Sequence, residues 1–291
     1  MMLITQIFHF LIHFRLHYQF FILSAGYLFA ALFVDELNVT DYALQYFNMS
    51  ILLFGTATAF NSYHDRDEGP IGGLKSPPPM SDWMRTAALL LQCIGFAFAM
   101  IHGILFAGIY LISMLLFWLY STPLFRWKGD PIKSLIAIGV STGSNSFWMG
   151  YLSAGGAAFN NDIILLGLAS ALIFLSLYPV SQIYQMLEDL RRGDQTFAIA
   201  YGLKGVKNFF LGLYFPGIFT AGVTLMSYHF RLGLIFLVSG ILIGFTIWMF
   251  IRGLRGDPSE YSKVMNIKYM SSLGFTLFTL ISIVLLHGYA Y

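Results

Sequence analysis

The sequence predicts an all-α polytopic membrane protein, a bundle of about nine transmembrane helices with its polar chemistry gathered at one side of the bilayer. Three observations predict it. Of 291 residues, 57% are hydrophobic and only 10% are charged, whereas a soluble domain carries about 25% charged residues. The apolar residues fall into runs near the length that crosses a bilayer. The basic residues collect in alternate loops between those runs.

The predicted spans cover residues 18–33, 43–60, 87–101, 104–120, 134–152, 163–183, 209–228, 232–251 and 269–288. The third and fourth run together through His102-Gly103, and the count of nine rests on dividing them there. With that division, all of the 16 basic residues except Arg231 lie on one side. The positive-inside rule then places the N-terminus and the basic loops in the cytoplasm, in an inner or plasma membrane, and the C-terminus outside. The lone cysteine, Cys93, lies within the third span and has no partner for an internal disulfide. Residues 1–16 interleave apolar side chains with His9, His13 and Arg15. They read as an interfacial helix leading into the first span, without the layout of a signal peptide. There is no short-period repeat and no linker, so residues 1–291 form a single domain.

Two cytoplasmic loops concentrate the acids. The first reads Asn61-Ser-Tyr-His-Asp65-Arg-Asp67-Glu68-Gly69 and runs on to Lys75. The second reads Gln185-Met-Leu-Glu188-Asp189-Leu-Arg191-Arg192-Gly193-Asp194-Gln-Thr196. Together they hold six of the 14 acidic residues. Each continues a transmembrane helix, and residues at i, i+4 and i+7 share a helix face. Asn61, Asp65 and Glu68 thus form one stripe and Asp67 points elsewhere. Gln185 and Asp189 share a face, with Glu188 beside them. Carboxylates and carboxamides are hard oxygen ligands suited to Mg²⁺, which is usually held by one or two carboxylates while substrate phosphates complete its shell. Lys75, Arg126, Lys128, Arg191 and Arg192 are near enough in sequence to take phosphate charge. The plain alternative is a set of solvated surface ion pairs, but two acid clusters on matching helix ends weigh against it.

Other polar residues carry less. His9, His13 and His17 recur every four residues, a metal-binding spacing that the polar face of an interfacial helix explains better. Asn145 and Ser146 lie mid-span, where interhelical hydrogen bonding accounts for them.

At these loops the chain resembles the UbiA-type intramembrane prenyltransferases. Their first motif is Asn-Asp-x-x-Asp-x-x-x-Asp. Asn61 and Asp65 match it, while Ser62 and Gly69 replace two aspartates. In their second motif, Asp-x-x-x-Asp followed by Gly and Thr, Asp189, Gly193 and Thr196 match and Gln185 replaces the first aspartate. Tyr120-Ser-Thr-Pro-Leu-Phe-Arg126-Trp-Lys128 is similar to the segment after the family's fourth helix. The resemblance implies Mg²⁺-dependent transfer from a prenyl diphosphate to a lipophilic, typically aromatic acceptor within the bilayer, and no nucleic-acid partner. It implies Asp65, Asp189, Glu68 and Glu188 as catalytic residues, with Asp65, Asp67, Glu68, Glu188 and Asp189 as metal ligands. Asn61, Lys75, Arg126, Lys128, Arg192 and Gln185 are then the substrate-binding residues. A terpene cyclase of the same fold is the nearest rival. A transporter or lipid-binding protein is a further one, but it predicts ionisable residues deep in the spans, which are almost free of them.

Overall fold

A computed structural model describes residues 2–66 and 69–288. Asp67 and Glu68 of the first acid loop lie outside the described residues. All secondary structure described is helical apart from one isolated bridge between Ile71 and Leu74. Helix α1 (Met2–Ile12) leaves Leu3, Ile4, Phe8 and Leu11 exposed while Phe10 packs against Phe60, Met84 and Ala88. The first long apolar helical stretch among the described residues runs from Leu3 to Phe33 and so takes in α1 together with the helix that follows it. Arg15, in the left-handed region at φ 51°, turns the chain into α2 (16–33). His13 and His17 hydrogen-bond to the backbone oxygens of Pro78 and Gly73. Their spacing therefore serves to fasten the first loop.

Eight more long helices follow: α3 (39–65), α4 (Asp82–His102), α5 (Ile104–Ser121), α6 (131–154), α7 (Asn161–Arg192), α8 (Phe197–Tyr228), α9 (Phe230–Arg252) and α10 (Tyr261–His287). Helices α2–α10 correspond one to one with the expected spans. Gly103 divides α4 from α5, as that expectation requires.

Seven of the helical stretches among the described residues are long and apolar enough to cross a membrane. The other two, α3 and α6, are more polar because their side chains bond within the bundle. Asn48 on α3 donates to Gln45 Oε1 at 2.8 Å and to the Gly95 oxygen at 3.0 Å. Asn145 on α6 donates to Ser113 Oγ of α5 at 2.9 Å. Without water in the bilayer core, such groups must find protein partners. Small residues let α6 approach its neighbours closely. A Cβ on Gly150 would stand 2.3 Å from the Tyr27 oxygen, and one on Gly143 would stand 2.6 Å from Ala171 Cα. Ile101, Leu242, Met249 and Val284 face outward, as side chains in contact with lipid do.

Several helices outrun their apolar cores. The chain remains helical as far as Arg192 in α7 and already from Tyr261 in α10. By contrast α3 stops at Asp65, where Arg66 turns left-handed at φ 49°. Asn61 and Asp65 share a face of this helix, as expected, while Glu68, the third member of the expected stripe, lies outside the described residues.

Candidate active site

The ends of α3 and α7, the turn after α5, and the starts of α2 and α10 enclose one end of a cavity of about 280 Å³. Farther in, its walls are apolar, with Phe29, Phe54, Phe117, Phe236 and Phe275 among them. This division follows the sequence: each contributing helix carries polar residues at its loop end and apolar residues toward mid-membrane.

Asp65, the last helical residue of α3, is the centre of the polar end. Asn61, one turn earlier, donates Nδ2–H to Asp65 Oδ2 at 2.7 Å and accepts from Ser121 Oγ at 3.1 Å. Lys128 Nζ forms an ion pair with Asp65 Oδ1. Arg126 reaches the same oxygen at 3.9 Å but chiefly grips Asp194, through Nε at 2.7 Å and a second nitrogen at 2.8 Å. That two-pronged hydrogen bond holds the Arg126 guanidinium above its ordinary pKa, so it stays charged. The Gln195 N–H donates to the Gly129 oxygen at 2.9 Å, tying the same two loops together. A Cβ on Gly129 would lie 2.6 Å from Asp194 Oδ1, so the bare residue there permits the approach.

On α7, Asp189 is buried and lines the same cavity as Asp65. Gly193, left-handed at φ 77°, ends the helix, and the Asp194 N–H returns to the Asp189 oxygen at 3.0 Å. Arg192 lines the cavity and bonds Glu188 Oε1 at 2.5 Å. Glu188 itself points toward the first loop: a Cβ on Gly69 would meet its Oε2 at 3.0 Å. Gln185 lines the cavity and donates to the Pro70 oxygen at 3.3 Å.

Of the residues expected from sequence, Asn61, Asp65, Lys128, Gln185, Asp189 and Arg192 thus meet at one cavity. Arg126 and Glu188 do not line it, being turned to Asp194 and to Gly69. Lys75 is exposed and away from the lining. Sequence reasoning missed Asp194, Thr196, Tyr120, Tyr178, Arg15 and Lys268, all of which line the cavity. Tyr120 and Tyr178 join hydroxyls at 3.0 Å across it. Asp194 and Thr196 sit in the second acid segment, which is the signal that could have found them.

Among the described residues, no three His, Cys, Asp or Glu side chains gather as a metal cage. Asp65 and Asp189 contribute one carboxylate each from opposite loops. That donor set fits Mg²⁺, which commonly uses one or two protein carboxylates and completes its shell from phosphate and water.

The model of the UbiA prenyltransferase family matches residues 19–273. The chain belongs to that family. Solved structures agree on the fold of this UbiA-family chain. A UbiA homolog from Archaeoglobus fulgidus bound to GPP and Mg²⁺ aligns with TM-score 0.73 and 16% identity, covering 94% of this chain and 99% of that one. The same homolog bound to DMAPP and Mg²⁺ gives 0.68 and 15%, covering 93% and 98%. A structure concerned with digeranylgeranylglyceryl phosphate synthase gives 0.63 and 17%, covering 96% and 99%. A comparison with curated proteins gives no match.

Proposed function

We propose that this UbiA-family protein transfers a prenyl group from a prenyl diphosphate to a lipophilic, aromatic acceptor, with Mg²⁺. The observation that carries the reading is the meeting of Asp65, Asp189, Lys128 and Arg192 at the polar end of an otherwise apolar cavity. The family and the ligands of the Archaeoglobus fulgidus homolog support it. Lys128 and Arg192 would hold the diphosphate, and the apolar walls would take the prenyl chain. The bond from the prenyl C1 to the bridging diphosphate oxygen breaks, and the electron pair leaves with diphosphate. Fixed cations beside that oxygen would stabilise the developing charge. The allylic C1 then bonds to a ring carbon of the acceptor, which loses its proton. Asp65 and Asp189 would ligate Mg²⁺, whose charge adds to that of the cations.

The deciding experiment incubates purified protein with a panel of prenyl diphosphates and membrane lipids and reads products by mass spectrometry. Acceptor adducts are expected. A hydrocarbon formed without acceptor would replace this reading with a cyclase.

The cations should separate in their effects. Lys128→Ala is expected to weaken prenyl diphosphate binding about ten- to a hundredfold, the loss of one charge-assisted hydrogen bond. Lys75→Ala should change it less than about twofold, as a surface charge does. Titration calorimetry checks both, and equal losses would remove Lys128 from the site.

The orientation we propose places the polar end of the cavity in the cytoplasm. Reporter fusions at Asp35 and Ala158 should both read extracytoplasmic; a cytoplasmic signal from either reverses it.

A further inference from the structure

A second cavity lies on the outside of the bundle, between the end of α9 and the start of α10. It is a groove of about 350 Å³ and shares no lining residue with the cavity that holds Asp65 and Asp189. Leu254 and Ile267, both buried, form its floor. Met249 and Phe250 of α9 and Met270 of α10 form its walls and face outward. Along α10, Lys263, Asn266 and Met270 recur at i, i+3 and i+7 and share a face. Lys263 is at the loop end, and Met270 lies about 10 Å farther along the helix axis. On α9, Gly253 stands at the loop end, with Phe250 and Met249 deeper. Both walls therefore change from polar or bare at the loop to apolar toward mid-membrane, the order of a lipid from headgroup to chain.

Charge at the loop end is one-sided. Across residues 252–263, Arg252, Arg255 and Lys263 are exposed, and Asp257 is the one exposed acid. Glu260 is turned inward: it is 3% exposed and accepts from the N–H groups of Arg255, Gly256 and Asp257. Asp257 serves as a cap, accepting from the Ser259 N–H at 2.8 Å. Among the described residues, no carboxylate forms an ion pair with Lys263 and no group hydrogen-bonds the Asn266 side chain. A carboxamide on the outward face of a spanning helix needs a partner, and here the protein supplies none. Lipid phosphate and glycerol oxygens are acceptors at that depth. Gly253 keeps the groove open. Its φ of −79° is ordinary for any residue, and within 4 Å an added Cβ would meet only the Phe250 oxygen, at 3.5 Å.

We propose that the groove between α9 and α10 binds one anionic phospholipid. Lys263 and Asn266 hold its phosphodiester, and an acyl chain lies along Phe250, Met249 and Met270. A zwitterionic lipid also carries a phosphate, but its own ammonium is repelled by Arg252 and Arg255, which flank the groove residues Gly253 and Leu254 in the chain. The site stands apart from prenyl transfer and does not depend on it.

The test uses full-length, delipidated protein in neutral detergent, titrated with dioleoylphosphatidylglycerol, dioleoylphosphatidylcholine or inorganic phosphate and read by native mass spectrometry. One phosphatidylglycerol should be retained about tenfold or more tightly than phosphatidylcholine, the preference that two or so basic residues give at a lipid surface. Lys263→Gln should weaken phosphatidylglycerol about fivefold, the loss of one such residue. Gly253→Leu keeps every charge and fills the groove, and it should weaken phosphatidylglycerol at least as much. Arg231→Gln, on the opposite side of the membrane, should stay within about twofold, as an uninvolved surface charge does. Equal retention of the two lipids by wild-type protein overturns the inference, and this arm needs no variant to fold. A monodisperse Gly253→Leu protein that binds phosphatidylglycerol as wild type does also overturns it, by reducing the groove to diffuse surface charge. Inorganic phosphate that binds as tightly as phosphatidylglycerol overturns it too, since the chain would then contribute nothing.

Discussion

Asp65→Asn and Asp189→Asn are each expected to lower prenyl transfer by roughly 10²- to 10³-fold, the range for removing one fixed electrostatic stabiliser from a site. The amide keeps the size of the carboxylate and loses its charge. At position 65 the effect is compound. Asp65 accepts from Asn61 and pairs with Lys128 and, more distantly, Arg126, so its loss also frees a lysine that it positions. Asp189 has no such dense set, and its loss should act chiefly through the metal. Raising Mg²⁺ should therefore restore Asp189→Asn more than Asp65→Asn. The check is turnover of geranyl diphosphate across a Mg²⁺ series. Activity within tenfold of wild type in both variants would remove the carboxylates from the chemistry.

Phe236→Ala is expected to change which chain the protein accepts. Phe236 is 3% exposed and lines the cavity. Its ring lies 5.1 Å from that of Phe29, 5.7 Å from Phe275 and 5.4 Å from Phe278, centre to centre. All four line the cavity, whereas Phe33, one turn beyond Phe29, and Phe147 do not. The cluster is therefore a floor, roughly 20 Å of helix from the start of α2. With a cavity of about 280 Å³, at the small end for ligand sites, the floor should favour short prenyl chains. Opening it should raise kcat/KM for farnesyl over geranyl diphosphate by about tenfold or more, in line with pocket discrimination of apolar groups. Phe→Ala in a packed core also costs about 3–5 kcal/mol of stability, so Phe236→Leu is the milder control. An unchanged ratio in both would place the limit elsewhere.

The course of the spans was readable because apolar runs dominate them, and even the division at Gly103 followed from charge placement. What could not be read was where helices stop. Nothing in Asp65-Arg66-Asp67 resembles a usual helix terminator, yet Arg66 turns left-handed there and caps the helix that ends at Asp65. The opposite error hid Lys268: an apolar window opens at 269, but the helix is already two turns old. Pairings across distant loops were equally silent. Glu188 lies where periodicity puts it, beside the Gln185–Asp189 face, yet its carboxylate turns to Arg192 and toward Gly69. Arg126 meets Asp194 only because the turn after α5 folds against the end of α7. Such contacts depend on the packing of whole helices and leave no local trace.

The pair formed by Asp65 and Lys128 has a thermodynamic corollary. In this pair each neutralises the other, as in an inner salt. An anion that takes Lys128 releases Asp65 to a cation, and a cation that takes Asp65 releases Lys128 to an anion. The cost of parting them falls on whichever ligand arrives first, and the second binds to a site already opened. Linkage makes the benefit mutual and equal in size. Metal and diphosphate should accordingly enter as a cooperative couple, and neither alone should hold the protein well.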